Sequence, residues 1–149
     1  MENVRELFQI MTRRFGLLNK NCCTVGAIDV SPAQSHILYE VDRQHNPSMQ
    51  QIADTLGTDI TTFSRQVQSL VKLKLLNKAP DSTDRRVYLL SLTTEGKFVA
   101  TTIDQQMSAY LDEIFSHMSG FEKEMVINSI KLLNKAMLQS DNCCQPVKG

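Results

Sequence analysis

The sequence predicts a mainly α-helical domain that contains one small β-hairpin. Apolar residues recur at the spacing of a helix over most of the chain, and Ser-x-x-Gln or Ser-x-x-Glu capping signals precede three of these segments. A strand-like period is confined to residues 75–92. The chain has 149 residues, of which 42% are hydrophobic and 21% charged; these values suit one globular domain and exclude a largely disordered chain.

Residues 3–20 and a segment that begins at Ser31 are predicted to form the first two helices. In the second, Ser31 is the predicted N-cap, Pro32 suits the first helical position and Gln34 returns the capping-box hydrogen bond. The break between the two helices holds Cys22, Cys23 and Gly26. The predicted buried positions of the second helix are Ala33, Ile37, Leu38 and Val41.

Two short helices with a tight turn between them are predicted next. Ser48 and Gln51 form a capping box for the third helix, and Gly57 ends it. The fourth predicted helix begins at about Ile60 and ends at about Lys74. The predicted buried residues are Met49, Ile52, Ala53 and Leu56 on the third helix, and Phe63, Val67, Leu70, Val71 and Leu73 on the fourth.

A hairpin and two longer helices complete the prediction. Residues 75–79 and 86–92 are strand-like and flank the turn-forming residues 80–85. One helix begins near Thr94 and the last begins at Ser119, with Glu122 as its capping partner; residues 141–149 form a flexible tail. The apolar stripes of these two helices exceed what so small a core can cover, which predicts a symmetric partner.

Basic residues are concentrated in one part of a chain whose formal net charge is zero. Residues 61–97 carry seven lysines and arginines against three acidic residues, and residues 60–78 contain no acidic residue. Because attraction to phosphate depends on local charge, this part of the chain is compatible with a nucleic-acid partner.

The fourth helix presents hydroxyl, amide and guanidinium groups outside its apolar stripe, where an ordinary exposed face would carry several Glu and Lys. A helix, a Gly-containing turn, a second helix and a hairpin, in that order, are typical of a winged helix-turn-helix, whose second helix enters the major groove. The predicted DNA contacts of the helices are Ser48, Thr61, Thr62, Ser64, Arg65, Gln66, Gln68 and Ser69.

The turn of the hairpin adds Asp84, Arg85 and Arg86 to the predicted DNA contacts. Arginines at the tip of such a wing can enter the narrow minor groove, where the negative potential is enhanced. Asp84 can hold one of the guanidinium groups through a bidentate pair. In isolation, an Asp-Arg-Arg triplet more often closes a solvated turn; the preceding helix-turn-helix favours the DNA contact.

Residues 48–57, 61–70, 75–76, 81–86 and 90–96, taken in this order, resemble the MarR (multiple antibiotic resistance regulator) family. The resemblance implies a mainly α fold with a small β-hairpin wing. Its winged helix-turn-helix core would cover about residues 31–93, and a helical dimerisation domain would be built from residues 3–20 and 94–140. The whole chain, residues 1–149, would be one such domain.

The resemblance also implies an obligate homodimer that binds double-stranded DNA at a palindromic operator. Residues 61–69 would read the major groove, Arg86 would enter the minor groove and Asp84 would orient it. Many such proteins are repressors that release DNA when a phenolic or other small molecule binds between the two domains, or when a cysteine is oxidised.

Two pairs of adjacent cysteines are the unusual feature of the chain, namely Cys22–Cys23 and Cys143–Cys144. Two neighbouring thiolates can bind one soft metal or metalloid ion, or one pair can form disulfides with the other on oxidation. Alternatively, the first pair is partly buried as small apolar residues and the tail pair is inert. No cofactor is required by the sequence; the candidate effectors are a soft metal or metalloid, an oxidant or a small molecule.

The sequence disfavours a membrane protein and an enzyme. No apolar run approaches the roughly 20 residues that span a bilayer, and the amino terminus lacks the pattern of a signal peptide, so we expect a cytoplasmic protein. A phosphate-binding loop, a nucleophile elbow and a metal motif are all missing; His36, His45 and His117 are scattered. The alternatives are a winged-helix module that binds protein instead of DNA, and a cysteine-based redox protein.

Overall fold

The computed structural model describes residues 3–15, 24–26 and 28–140. The elements found in these residues are α1 (Val4–Arg14), β1 (Thr24–Val25), β2 (Ile28–Asp29), α2 (Pro32–Arg43), α3 (Met49–Leu56), α4 (Ile60–Lys72), β3 (Leu76–Pro80), β4 (Tyr88–Leu92), α5 (Thr94–Ser116) and α6 (Gly120–Leu138). The predicted fold class, mainly α with a small hairpin, is confirmed.

The helices begin where the capping signals predict. Reciprocal hydrogen bonds of a capping box are formed in the pairs Ser31–Gln34, Ser48–Gln51 and Ser119–Glu122. Gly57 ends α3 in the left-handed conformation, with φ of 64°, which a residue without a Cβ adopts at little cost. The tight turn that follows brings α4 across α3.

The core lies between α2, α3, α4, the β3–β4 hairpin and the first half of α5. Each large apolar side chain buried there contributes about 1.5–3 kcal/mol relative to exposure. Its most completely buried side chains are Ile37, Leu38, Ile52, Phe63, Val67, Leu70, Leu75, Leu76, Leu90 and Val99. Because Phe63, Val67 and Leu70 fix one side of α4 in this core, the opposite side of α4 faces solvent.

The β3–β4 hairpin, called the wing below, is attached to the N-terminus of α3. Its antiparallel register pairs Leu76 with Leu92 and Pro80 with Tyr88. A bridge between Ser48 and Leu89 adds a third, one-residue strand to the edge of β4, and the Leu90 amide donates to the Pro47 carbonyl at 2.8 Å. The wing is therefore held in a fixed position beside α3.

Several predicted positions differ in the structure. Ala33 is exposed and Gln34 is buried, because positions 34, 37, 38 and 41 form the i, i+3, i+4, i+7 stripe and the Gln34 amide is satisfied by the Ser31 N–H. Val71 and Leu73 are also exposed, since they lie beside the buried stripe and at the C-cap of α4.

One small hairpin and one strand boundary also differ from the prediction. β1 and β2 pair as a hairpin that was not predicted, because strands of two residues are too short to show a period in the sequence; Val25 of β1 is buried in the core. In the wing, β4 begins at Tyr88, so Arg86 belongs to the turn instead of the strand.

The terminal helices expose most of their apolar side chains. Neither α1 nor α6 has a buried residue, and α5 is buried only through Gly96, Val99 and Ile103. The Tyr110 hydroxyl donates to the Arg14 carbonyl at 2.9 Å, which joins the end of α1 to α5. Within the described part of the chain, none of the helices has both the length and the apolar character needed to cross a membrane.

Candidate nucleic-acid interface

The N-terminus of α4 is fixed by Asp59. Its carboxylate accepts a hydrogen bond from the Thr62 N–H at 3.0 Å, which occupies one of the free donors of the first turn. This bond, together with the nearby Thr62 hydroxyl, lowers the pKa of Asp59 below its ordinary value. The helix that carries the predicted major-groove contacts therefore has a defined start.

Four polar side chains form one line along the solvent side of α4, called the outward line below; they are Thr61, Arg65, Gln68 and Lys72. Their spacing of three to four residues places them on the side opposite Phe63, Val67 and Leu70. All four are exposed, and within the described residues neither Arg65 nor Gln68 has a hydrogen-bond or ion-pair partner. The line carries two positive charges and no negative charge.

The remaining predicted residues of α4 lie at the sides of this line. Thr62 and Gln66 face α2 and line a cleft of about 280 Å³ with Ala33 and His36. Ser64 is half-buried on the opposite flank, and Ser69 is exposed. The predicted set is therefore divided: Thr61, Arg65 and Gln68 point outward, whereas Thr62 and Gln66 are turned toward α2.

In the turn of the wing, Asp84 holds the Arg86 side chain. The Arg86 Nε donates to Asp84 Oδ1 at 3.1 Å, Nη2 lies 3.3 Å from Oδ2, and the Arg86 N–H donates to Oδ1 at 3.1 Å. The Arg86 side chain is nevertheless 90% exposed, and its hydrogen bonds lower the pKa of Asp84. The predicted bidentate pair is thus formed with the guanidinium accessible to solvent; Arg85 beside it is exposed.

A second cation, Lys78, lies on β3 of the wing, away from the turn that holds Arg86. The Lys78 Nζ is 4.5 Å from the centre of the Tyr88 ring, across the two strands. The sequence did not predict this pair, because the register that makes Lys78 and Tyr88 neighbours is set by the wing as a whole. Lys72 was not among the predicted contacts either, although the helical period from Gln68 places it on the outward line.

Ser48 lies where the N-terminus of α3 meets the wing. The Ser48 hydroxyl accepts the Gln51 N–H at 3.1 Å and its backbone joins β4, so it positions α3 and the wing relative to each other. Cys22, Cys23, Cys143 and Cys144 lie outside the described residues. Within residues 3–15, 24–26 and 28–140, no three His, Cys, Asp or Glu side chains are grouped to hold a metal ion.

Comparison with known sequences relates this chain to transcriptional regulators. The model of the MarR family matches residues 28–87, which include α2, α3, α4 and the turn of the wing. The chain is 28% identical to the uncharacterised HTH-type regulator YxaD of Bacillus subtilis over 102 residues, 68% of this chain and 71% of YxaD. It is 30% identical to the HTH-type regulator PapX of Escherichia coli over 97 residues, 64% of this chain and 59% of PapX.

Solved structures extend the likeness to the terminal helices. The FabT protein of Streptococcus pneumoniae, determined in complex with DNA, superposes with a TM-score of 0.79 at 18% identity, covering 91% of this chain and 94% of FabT. At that identity the superposition shows a shared fold. The family match over residues 28–87, the relatives in sequence and this shared fold confirm the resemblance to the MarR family seen in the sequence.

Proposed function

We propose that this protein is a homodimeric repressor that binds a palindromic operator in double-stranded DNA. In each protomer, the outward line of α4 contacts the major groove and Arg86 enters the adjacent minor groove. The observation that carries the proposal is the combination of an acid-free polar line on α4 with an exposed arginine already oriented by Asp84.

The outward line has the chemistry that base edges require. Arginine can donate two hydrogen bonds to guanine, and glutamine can pair with adenine in a bidentate manner. Arg65 and Gln68 are one turn apart, exposed and without an intramolecular partner within the described residues, so binding breaks no existing bond. Thr62 and Gln66, on the side of α4 that faces α2, would contribute less to the base contacts.

The Asp84–Arg86 pair supports the minor-groove contact. A guanidinium held in one orientation loses less conformational freedom when it enters a groove than a free one does. Asp84 accepts hydrogen bonds from Nε and Nη2 of Arg86, which leaves both N–H groups of Nη1 and the second N–H of Nη2 to face the DNA. The FabT structure with which this chain shares its fold was determined with DNA bound.

A duplex-binding measurement tests the proposal. The wild-type protein is titrated with a duplex that contains the promoter of its own gene, over a series of salt concentrations, and Arg86→Ala is compared with Arg43→Ala. Arg43 is also an exposed arginine paired with a carboxylate, but it lies on α2. We expect affinity to fall steeply with salt, and Arg86→Ala to weaken binding about tenfold or more while Arg43→Ala does not.

Two results would contradict this function. A wild-type protein with no salt-sensitive affinity for any duplex would remove DNA binding altogether and favour a module that binds protein. Equal affinities for the Arg86→Ala and wild-type proteins, both dimeric, would remove the wing from the interface.

We also propose that a chemical signal releases the protein from DNA. The candidates are a small molecule, and a soft metal, metalloid or oxidant acting on Cys22–Cys23 and Cys143–Cys144. If the first pair is the sensor, arsenite or peroxide releases the wild-type protein from its operator, and a Cys22→Ser/Cys23→Ser variant stays bound. An equal response of both proteins would exclude these two thiols.

A further inference from the structure

The two strands of the wing have one face that continues from the core out to solvent. Directly opposed residues of an antiparallel pair lie on the same face, and the face alternates along each strand. Leu76 and Leu90 are buried on one face, called the inner face. Lys78 is paired with Leu90 and Tyr88 with Pro80, so both side chains extend the same face toward the turn.

The Tyr88 ring orients the Lys78 ammonium. Its Nζ lies 4.5 Å from the centre of the Tyr88 ring, on the diagonal between the two strands. A cation over an aromatic face is attracted by the quadrupole of the ring. This contact places no negative charge beside the ammonium.

Both groups have hydrogen-bonding capacity to spare. Within the described residues, Lys78 makes no ion pair and the Tyr88 hydroxyl has no hydrogen-bond partner; Tyr88 is 42% exposed. The two acidic residues of the turn are engaged elsewhere: Asp81 accepts from the Thr83 hydroxyl at 2.9 Å and Asp84 from Arg86. Among the described residues, no carboxylate forms an ion pair with the Lys78 ammonium.

We propose that Lys78 and Tyr88 form a phosphate-binding pair that contacts one backbone phosphate beside the groove entered by Arg86. The inference rests on the proposed DNA binding and adds a contact to it. The ammonium and the phenol O–H are both donors, and contacts of this kind to the backbone supply affinity and register without reading sequence. Along the strands the pair lies between the buried Leu76 and Leu90 and the turn that holds Arg86; the sugar–phosphate backbone between the two proposed groove contacts would pass there.

The salt dependence of duplex affinity tests the pair. In a plot of log affinity against log salt concentration, each phosphate contact contributes about 0.9 to the steepness of the negative slope. Lys78→Gln removes one contact from each of the two wings of a dimer, so its slope should be shallower than the wild-type slope by about 1.8. This loss should be the same for the operator and for an unrelated duplex. Tyr88→Leu removes both the ring and the hydroxyl, so its slope should approach that of Lys78→Gln. Tyr88→Phe keeps the cation–π contact, so its slope should change less.

Two control variants accompany these measurements. Lys131→Gln removes another exposed lysine, on α6, and should leave the slope unchanged. Lys78→Arg should retain the wild-type slope, because it keeps the charge; this distinguishes loss of charge from damage to the wing.

The outcomes separate this inference from the proposed function. A wild-type protein that binds DNA in a salt-sensitive manner, with an unchanged slope in Lys78→Gln, would overturn the phosphate-binding pair and leave the proposed function standing. A loss confined to the operator would also overturn it, since Lys78 would then be reading bases. A wild-type protein without affinity for any duplex would overturn both.

Discussion

Gly96 is the residue at which α5 comes closest to the segment between α4 and the wing. A Cβ at this position would overlap the carbonyl oxygen of Leu75, a backbone atom that cannot move without shifting the core. The same carbonyl accepts the Thr93 N–H at 3.1 Å, and the Thr93 hydroxyl donates to the Lys74 carbonyl at 2.7 Å. Glycine is thus required here by close approach, since the first turn of α5 rests on the backbone that leads into β3.

Gly96→Ala should destabilise the fold by about 1–3 kcal/mol or more, because the added methyl group overpacks a site bounded by backbone. The matched control is Gly120→Ala, where the added Cβ meets no atom within 4 Å; it should be neutral or slightly stabilising. Chemical denaturation of the three proteins measures the difference. Equal stability of the Gly96→Ala and Gly120→Ala variants would contradict the close approach.

At the scale of elements, the start of α4 depends on a titratable cap. Asp59 accepts the Thr62 N–H, and this hydrogen bond lowers the pKa of the carboxyl group. A group whose pKa is lowered by folding stabilises the native state above its ordinary pKa. That contribution is lost as the pH falls through the lowered value.

Asp59→Ala should therefore lower the melting temperature at neutral pH, and its difference from the wild type should shrink below about pH 4. Asp59→Asn keeps a capping side chain that does not titrate, so its advantage over Asp59→Ala should persist in acid. Thermal melts of the three proteins across pH measure both effects. A difference between wild type and Asp59→Ala that grows on acidification would refute the cap.

At the scale of the whole molecule, α6 is apolar on two sides. Val126, Ile127 and Leu133 are half-buried on one side. A separate line on the same helix, formed by Phe121, Met125 and Leu132, is exposed by 76%, 52% and 70% respectively. A helix that is apolar all round is normally buried, and α1 likewise exposes an apolar stripe. These surfaces favour a second copy of the chain as their cover.

The predicted effect of this arrangement is that Leu132→Asp shifts the protein from dimer toward monomer, because a carboxylate would be buried in an apolar interface. Tyr39→Asp is the control, since Tyr39 is also an exposed large side chain (55%) but lies on α2. Light scattering coupled to gel filtration measures the mass of each protein. A monomeric wild type, or a dimer that tolerates Leu132→Asp, would argue against this interface.

Local interactions account for what the sequence could predict. The three capping boxes, the Gly57 turn and the Asp84–Arg86 pair each join residues two or three positions apart or depend on one backbone angle. Their geometry follows from the helical period and from the reach of one side chain. The buried stripe of α4 followed from the same period, and so did the polar side chains outside it.

Only the tertiary structure decided what depends on distant segments. The exposure of Val71 and the division of the α4 side chains into an outward line and a flank facing α2 follow from how α4 packs on α2 and α3. The Lys78–Tyr88 pair follows from strand register, and the contact of Gly96 with Leu75 joins residues far apart along the chain. A period specifies which residues share a face, but only packing and register determine what that face meets.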